Sequence, residues 1–485
     1  MDVDRQRLAP VIAAAVCLVT ATGCRLHDVK LDPPPPIAVP AAYGTTGGDA
    51  AAPDRWWTVF EDPGLDAAID RALADNLDLA AAWARLEQAG AILIEAGSAK
   101  LPEINATLSA ARQKNRFVLP EPTGELTVAS NSFQASLGAA YEVDLWKKVG
   151  SGAAASERDL VAARDGVEAI AMTLAASVTE AWLDARWQKA RRALLTTQLE
   201  LNGKSLDILE TQFREGLGSA LDVYQQRSLV SATRAQLDGV DLALDGLYGR
   251  LAALLAITVP EAAALLDGAP EALPAPPPVP AVGVPASLLE RRPDVRAARR
   301  QVEAADYRVA VAVADRLPGL RLQAALSLGS QSLVDLIKTP LYSLLASVTA
   351  PLFDHGRRAA EVDRTEAVVK ERLAGYGKAL LTAMIEVDSA LIQEAHQQAL
   401  IAELTGQQEI AAAMVREART SYREGQIDYL PVLNAIQAEQ AVALNILQAQ
   451  RTLLSLRVTL YRALGGTWTS TLAAPGTDGA SGEPR

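Results

Sequence analysis

The chain has 485 residues, of which 49% are hydrophobic but only 5% aromatic, and its formal net charge is −12. An acidic chain lacks the basic face that a phosphate backbone requires, which excludes nucleic acid as a partner. Length alone suggests about three domains, and the apolar excess, mostly Ala and Leu, points to long, closely packed helices.

Arg5 and Arg7 precede an apolar stretch from Leu8 to Val19. That stretch is too short to span a bilayer and has the size of a signal-peptide core. Ala21-Thr22-Gly23-Cys24 follows at once and resembles a bacterial lipoprotein box. Residues 1–23 are therefore assigned to a signal peptide and Cys24 to acylation, which would anchor the mature chain by burying acyl methylenes. Cys17, the other cysteine, falls within the signal. Residues 24–55 are Pro-rich, and Pro33-Pro34-Pro35-Pro36 can be neither helix nor central strand, so this segment reads as an extended, lipid-anchored tether. No other apolar stretch is long enough for a transmembrane helix.

The folded part begins at Trp56-Trp57 and is written twice. Asp78-Leu79-Ala80-Ala81 and Asp294-Val295-Arg296-Ala297 open Ala-rich runs that end at Leu101-Pro102 and Leu317-Pro318, an offset of 216. Phe213-Arg214-Glu215-Gly216 and Tyr422-Arg423-Glu424-Gly425 match at an offset of 209. The repeats are assigned to 56–269 and 286–468, with a Pro-rich linker at 270–285 and a disordered tail at 469–485. Each reads as helix, strand, strand, very long helix, helix. Residues 123–259 and 352–430 contain no proline. A helix from Ser151 to Phe213 would be roughly 90 Å long, a length typical of coiled coils and helical tubes.

Four runs alternate between apolar and polar residues: Ile104 to Ala110, Phe133 to Val143, Leu320 to Leu328 and Tyr342 to Ala350. Each is near the roughly 9–11 residues of a tilted membrane-spanning strand. An ordinary sheet with one face on a core gives the same alternation. The export signal and the long helices between the strand pairs favour the membrane. Four strands cannot close a membrane barrel and open edges are not tolerated in lipid, so several chains would have to pool strands, two giving eight or three giving twelve.

The chain resembles the TolC-like outer membrane factor family, in its NodT-type lipoprotein branch. The resemblance is carried over residues 56–468 by Trp56-Trp57-Thr58-Val59-Phe60, Asn76-Leu77-Asp78-Leu79, Tyr141-Glu142-Val143-Asp144-Leu145-Trp146, Leu288-Leu289-Glu290-Arg291-Arg292-Pro293-Asp294-Val295, Ala350-Pro351-Leu352-Phe353-Asp354, Glu386-Val387-Asp388-Ser389-Ala390-Leu391 and Leu460-Tyr461-Arg462-Ala463-Leu464-Gly465-Gly466-Thr467-Trp468. It implies a mainly α fold with a small antiparallel β-barrel contribution: a homotrimer with a twelve-stranded outer-membrane barrel and a twelve-helix periplasmic tube. Loops at about 114–131 and 329–341 would lie outside the cell. The function implied is a passive export duct, opened by a periplasmic adaptor (membrane fusion) protein and an inner-membrane pump.

The resemblance also places the paired turns at the periplasmic tip. Gly216, Leu221 and Val223, with Gly425, Leu430 and Val432, are the expected adaptor-docking positions, and Ser219 and Asp428 the caps of the returning helices. Asp222, Asn434 and Tyr422 are the expected pore constriction. A threefold ring of Asp222 carboxylates would favour cations, whereas relatives often carry aspartate where this chain has Pro431 and Asn434. The competing reading is a lipid-anchored helical envelope scaffold without a pore, which would have no use for the four alternating strands.

Catalytic chemistry finds no support in the residues. His27, His355 and His396 are scattered without metal-ligand spacing, and there is no phosphate loop, Ser elbow or nucleophilic Cys. Glu386 and Asp388 point to different helix faces, and Trp182 and Trp187 read as packing residues. No enzyme activity, cofactor or metal is expected.

Overall fold

The computed structural model describes residues 26–45, 47–49, 53–118, 124–268 and 270–474. Cys17, Cys24 and the expected signal peptide lie outside them. The chain forms two compact units, each assembled from discontinuous stretches. One holds the described residues up to Pro36, Glu87–Ala162 and Ala298–Tyr376; the other holds Ile37–Leu86, Ala163–Ala297 and Gly377 onward.

The first unit contains a four-stranded antiparallel sheet: β1 (Glu103–Val118), β2 (Glu125–Val143), β3 (Gly319–Ser330) and β4 (Pro340–Thr349), paired in that order. The register brings the apolar members of all four strands onto one face. Ile104 faces Ala139, Ala139 faces Ala324, and Ala324 faces Leu344. The other face carries Asn105, Thr107, Ser136, Gln323 and Ser327 in the same rows, with Leu345 and Leu341 as apolar exceptions. The apolar face has no cover: Leu108 is 83% exposed and Leu344 88%. β1 and β2 run past the alternating stretch, to Val118 and from Glu125, and so take in much of the expected loop at 114–131. Ladder hydrogen bonds need only backbone, and pairing continues through Arg112↔Asn131 to Val118↔Glu125 after the apolar pattern has stopped.

In this unit the tether lies against the protein. Asp306 accepts from the Lys30 backbone N–H at 2.6 Å, and its other oxygen lies 2.7 Å from His27 Nε2. The four prolines lie beside Val302, Val309 and Leu373. An extended segment without helix or strand is as the composition requires, but it is docked, because a nearly buried carboxylate offers the lone pairs that its backbone and imidazole need.

The helices of the second unit are α1 (Pro63–Asp75), α2 (Leu77–Ser98, its start), α3 (Lys148–Arg214, its later part), α4 (Ala220–Leu255), α5 (Val259–Asp267), α6 (Leu288–Arg291), α7 (Pro293–Ala314, its start), α8 (Arg357–Arg423, its later part) and α9 (Tyr429–Leu464). The repeats correspond element for element. α2 and α7 have 22 residues each, α3 and α8 have 67 and α4 and α9 have 36. The offset is 216 through α7 and β3, and 209 from β4 to the end of α9, so the change falls in the hairpin between the strands of each pair. Among the described residues no single helix is long and apolar enough to cross a membrane.

The core of this unit is aromatic where the motif residues meet. Trp56 stacks on Tyr461 at 5.7 Å, and Trp57 meets Trp468 edge-on at 4.8 Å. Asp62 caps α1 by accepting from Gly64 and Leu65 N–H, and its second oxygen accepts from Trp182 Nε1 and Arg186 Nη1. Asn76 caps α2 with its carbonyl and donates to the Leu254 carbonyl, tying α2 to α4. Arg292 grips Asp294 through two nitrogens and donates to Glu386 at 2.6 Å. Glu386 and Asp388 do diverge, the latter accepting from Gly44 N–H.

The linker and the expected tail are pinned by buried charges. Arg457, 1% exposed, pairs with Glu394 and donates to the Pro277 carbonyl of the linker. Thr469 is fully buried and donates to Glu168, which also takes Arg296, while Arg164 donates to the Leu472 carbonyl. Residues 469–474 are therefore packed chain, which corrects the tail assignment. The Thr469 hydroxyl satisfies a buried carboxylate, and the backbone carbonyls of Ser470 and Leu472 take the Arg164 guanidinium, partners that composition does not reveal.

Candidate functional site

Both long helices end in the same turn. Gly216 N–H donates to the Phe213 carbonyl at 3.1 Å and Leu217 N–H to Gln212 at 2.8 Å. Gly425 donates to Tyr422 at 3.0 Å and Gln426 to Ser421 at 2.9 Å. This double bond pattern closes the last carbonyls of a helix and needs a left-handed residue at its centre. Gly216 and Gly425 supply it, at φ +75° and +69°. The returning helices start differently. Ser219 accepts from Leu221 N–H at 3.1 Å, whereas Asp428 occupies the cap position without a side-chain cap bond.

The structure divides the expected tip residues by burial. Leu221 and Leu430 are exposed, but Val223 and Val432 are buried beside Leu209, Val415, Tyr429 and Ile436. Residues two apart on a helix lie on nearly opposite sides, so the two valines hold the hairpins together and are not themselves a docking surface. This corrects their expected role. Leu217, 80% exposed, joins Leu221 and Leu430 on the outside.

A cleft of about 920 Å³ lies between the turns, lined by Gly216, Asp222, Gln225, Tyr422, Gly425 and Leu430 among others. Asp222 and Tyr422 are thus brought together, whereas Asn434 is exposed on α9 and takes no part in the lining. Tyr422 packs edge-on against Tyr429 at 5.6 Å and lies within 3.3 Å of Gln212 Oε1. Burial raises the Tyr422 phenol above its ordinary value, and the Asp222 charge adds to this. Burial pushes Tyr429 up to about 12, with Tyr422 and Asp222 adding and Arg419 opposing. Neutral phenols beside a carboxylate can donate hydrogen bonds without adding negative charge.

Behind the cleft runs a buried polar chain that the sequence pattern did not disclose. Tyr429 donates to Gln226 Oε1 at 2.7 Å, and Gln226 Nε2 donates to the Asn202 carbonyl at 2.8 Å. Asn202 and Gln440 bond each other through their amides at 2.9 and 3.3 Å. These links join α3, α4 and α9. Their spacing merges with the solvated face of each helix when the helices are read singly; Gln226 and Asn202 reveal themselves only as polar residues at core positions.

The family model for the outer membrane efflux protein matches residues 68–256 and 284–466. The chain belongs to the outer membrane efflux protein family. The two matched segments fall largely on the two repeats and leave out residues 257–283, most of the linker among them. The pyoverdine export outer membrane protein OpmQ of Pseudomonas aeruginosa is 34% identical, over 87% of this chain and 89% of its own length. The toluene efflux pump outer membrane protein TtgF of Pseudomonas putida is 29% identical, over 93% and 97%. Among solved structures, the outer-membrane channel OprN superposes with a TM-score of 0.82 at 27% identity, covering 91% of this chain and 99% of that one. This outer membrane efflux protein is accordingly an outer-membrane channel component of an efflux system.

Proposed function

We propose that three copies of this chain form a closed twelve-stranded barrel continued by a tube of long helices, and that this trimer is a passive duct. The observation that carries the reading is the uncovered four-stranded sheet with an in-register apolar face and two open edges, β1 and β4. An open edge in lipid leaves backbone groups unpaired at several kcal/mol each. Pairing β4 of one copy with β1 of the next removes both edges.

The internal repeat supplies a register for that pairing. β1 leads to β3 by 216 residues and β2 to β4 by 209. Leu137 on β2 faces Leu326 on β3, and Ala139 faces Ala324. Their counterparts put Ala346 opposite Ala110 of the next copy and Val348 opposite Leu108. All four lie on the apolar face, so the apolar side stays continuous around the barrel.

The tip of the tube is the gate and the docking end in this reading. Leu217, Leu221 and Leu430 offer apolar surface to a periplasmic adaptor, and Gly216 and Gly425 shape the turns that present it. Asp222 and Tyr422 narrow the pore, with Asn434 a polar position further along α9. Acylation of Cys24 would hold the chain at the membrane. The relatives are named for pyoverdine, toluene and cations, which suits a duct whose selectivity resides in an inner-membrane pump.

Cysteine cross-linking tests the assembly. Ala346→Cys/Ala110→Cys in one chain gives covalent trimers on oxidation, because directly opposed residues lie within about 5.5 Å. Ala346→Cys/Leu108→Cys, displaced by two residues to roughly 7–8 Å, gives few. Efficient linkage only in the displaced pair would reject this register, and a monomeric mass in detergent would reject the trimer. Single-channel recordings should show conductance that loses cation preference in Asp222→Asn.

A further inference from the structure

The apolar face of β1 changes character abruptly. Ile104, Ala106, Leu108 and Ala110 are followed, on the same side of the strand, by Arg112, Lys114 and Arg116. Regular pairing through Val118↔Glu125 keeps the alternation in phase, so the three cations share the face of the apolar residues. The neighbouring row marks where the belt ends: Ala110 faces Phe133, the last large apolar residue of β2 on that side, whereas Arg112 faces Asn131, Lys114 faces the small Ala129 and Arg116 faces Thr127. From Phe133 to Val143 the β2 belt is about 25 Å tall once strand tilt is allowed for, the height of a lipid-facing apolar band. On the same tilt-corrected scale the first cation, two residues past Ala110, stands about 5 Å beyond it.

Arg112, Lys114 and Arg116 are all exposed. Arg116 pairs with Glu125, but among the described residues Arg112 and Lys114 have no ion-pair partner. This is a local excess of positive charge on a chain of net charge −12, placed on the outward face at the hairpin end of the sheet. The long helices leave from the other end, Lys148 after β2 and Arg357 after β4. If the helices are periplasmic, the cations lie at the rim facing the outer leaflet.

We infer that Arg112 and Lys114, with Arg116 beside them, form a binding site for the phosphate groups of an anionic glycolipid in the outer leaflet, in effect fastening the barrel rim to the lipid around it. This rests on the membrane reading above. The occupant follows from position and charge together. A cation directly above a lipid-facing apolar belt is at headgroup depth, and guanidinium and ammonium groups are the natural donors to a phosphomonoester. The same residues facing the lumen would meet only water.

The test uses the full chain in phosphatidylcholine nanodiscs, titrated with diphosphoryl lipid A and with lipid A stripped of phosphate. The wild-type protein should prefer the phosphorylated lipid. Arg112→Gln/Lys114→Gln, which leaves the Arg116–Glu125 pair in place, should weaken that binding at least tenfold. Arg112→Lys/Lys114→Arg should keep it, showing that charge at these positions decides. Millimolar inorganic phosphate should not compete, since the acyl chains supply the rest of the affinity; full displacement by it would overturn the lipid assignment in favour of a free-anion site. Equal affinity of wild type and the double Gln variant, or no preference for phosphate, would overturn the site while leaving the barrel intact. Failure of the wild-type protein to insert at all would instead reject the membrane reading and the site with it. Conductance and trimer mass of each variant distinguish these cases.

Discussion

Removing the Tyr429 hydroxyl should loosen the tip by a definite amount and in a way a second change can repair. Tyr429 and Gln226 are both buried and meet at 2.7 Å, while Gln226 spends its amide nitrogen on the Asn202 carbonyl. Tyr429→Phe removes no carbon, so no cavity opens in the side-chain packing. Its cost is the stranded Gln226 oxygen, about 1–3 kcal/mol. Gln226→Met strands the phenol instead and costs a similar amount. The pair Tyr429→Phe/Gln226→Met leaves neither group unpaired and should return close to wild type. The assay is native-state hydrogen exchange of the α4 amides near Gln226, where about 1.4 kcal/mol corresponds to tenfold in rate. Each single change should accelerate exchange roughly tenfold to a hundredfold, and the double change only a few-fold. Double-variant rates equal to the product of the single effects would show that the two groups do not act as a pair, and the polar chain would lose its role as the fastening of the hairpins.

Three further outcomes follow from the same reasoning. Arg457→Met leaves Glu394 charged and buried, costing about 3–5 kcal/mol in denaturant unfolding, and Arg457→Met/Glu394→Leu should regain most of it; a double variant no better than the single would contradict this. Gly216→Ala and Gly425→Ala should each cost about 1–2 kcal/mol from left-handed backbone alone, since a Cβ there would meet nothing within 4 Å, and Asn at either site should cost less, as measured by protection of Leu217 and Gln426 amides. Tyr429 has a raised pKa in the fold, so both states stay protonated below about pH 10 and nothing changes there. Between pH 10.0 and about 12 the unfolded phenol ionises first and stability falls with rising pH, a limb that Tyr429→Phe should flatten in thermal melts.

The duplication, the four strands and the long helices were legible because each rests on local pattern. Alternation of Ile104, Ala106 and Leu108 reports a face, and absence of proline over 123–259 permits a helix. Gly216 and Gly425 were legible for the same reason, as a helix end needs a left-handed residue. What stayed hidden depends on partners distant in sequence. Val223 and Leu221 look alike in the chain, and only the packing of α9 against α4 makes one interior and the other exposed. Thr469 resembled tail until Glu168, about 300 residues earlier, is seen to take its hydroxyl. The β1–β2 hairpin outran its apolar pattern because hydrogen bonds between backbones continue where the apolar alternation ends.

The equal lengths of the paired helices, 67 and 67, then 36 and 36, make the repeat a gauge as well as a duplication. One residue added to α3 alone would advance Gly216 by about 1.5 Å and turn everything after it by about 100°. The valine that faces inward would then leave the interior, and two turns meant to meet would no longer be level. The strand hairpins carry no such obligation, and the whole seven-residue difference between the offsets is found there. Length is free to drift in the strand hairpins and is held, residue by residue, from the second strand of each pair through the two long helices that follow.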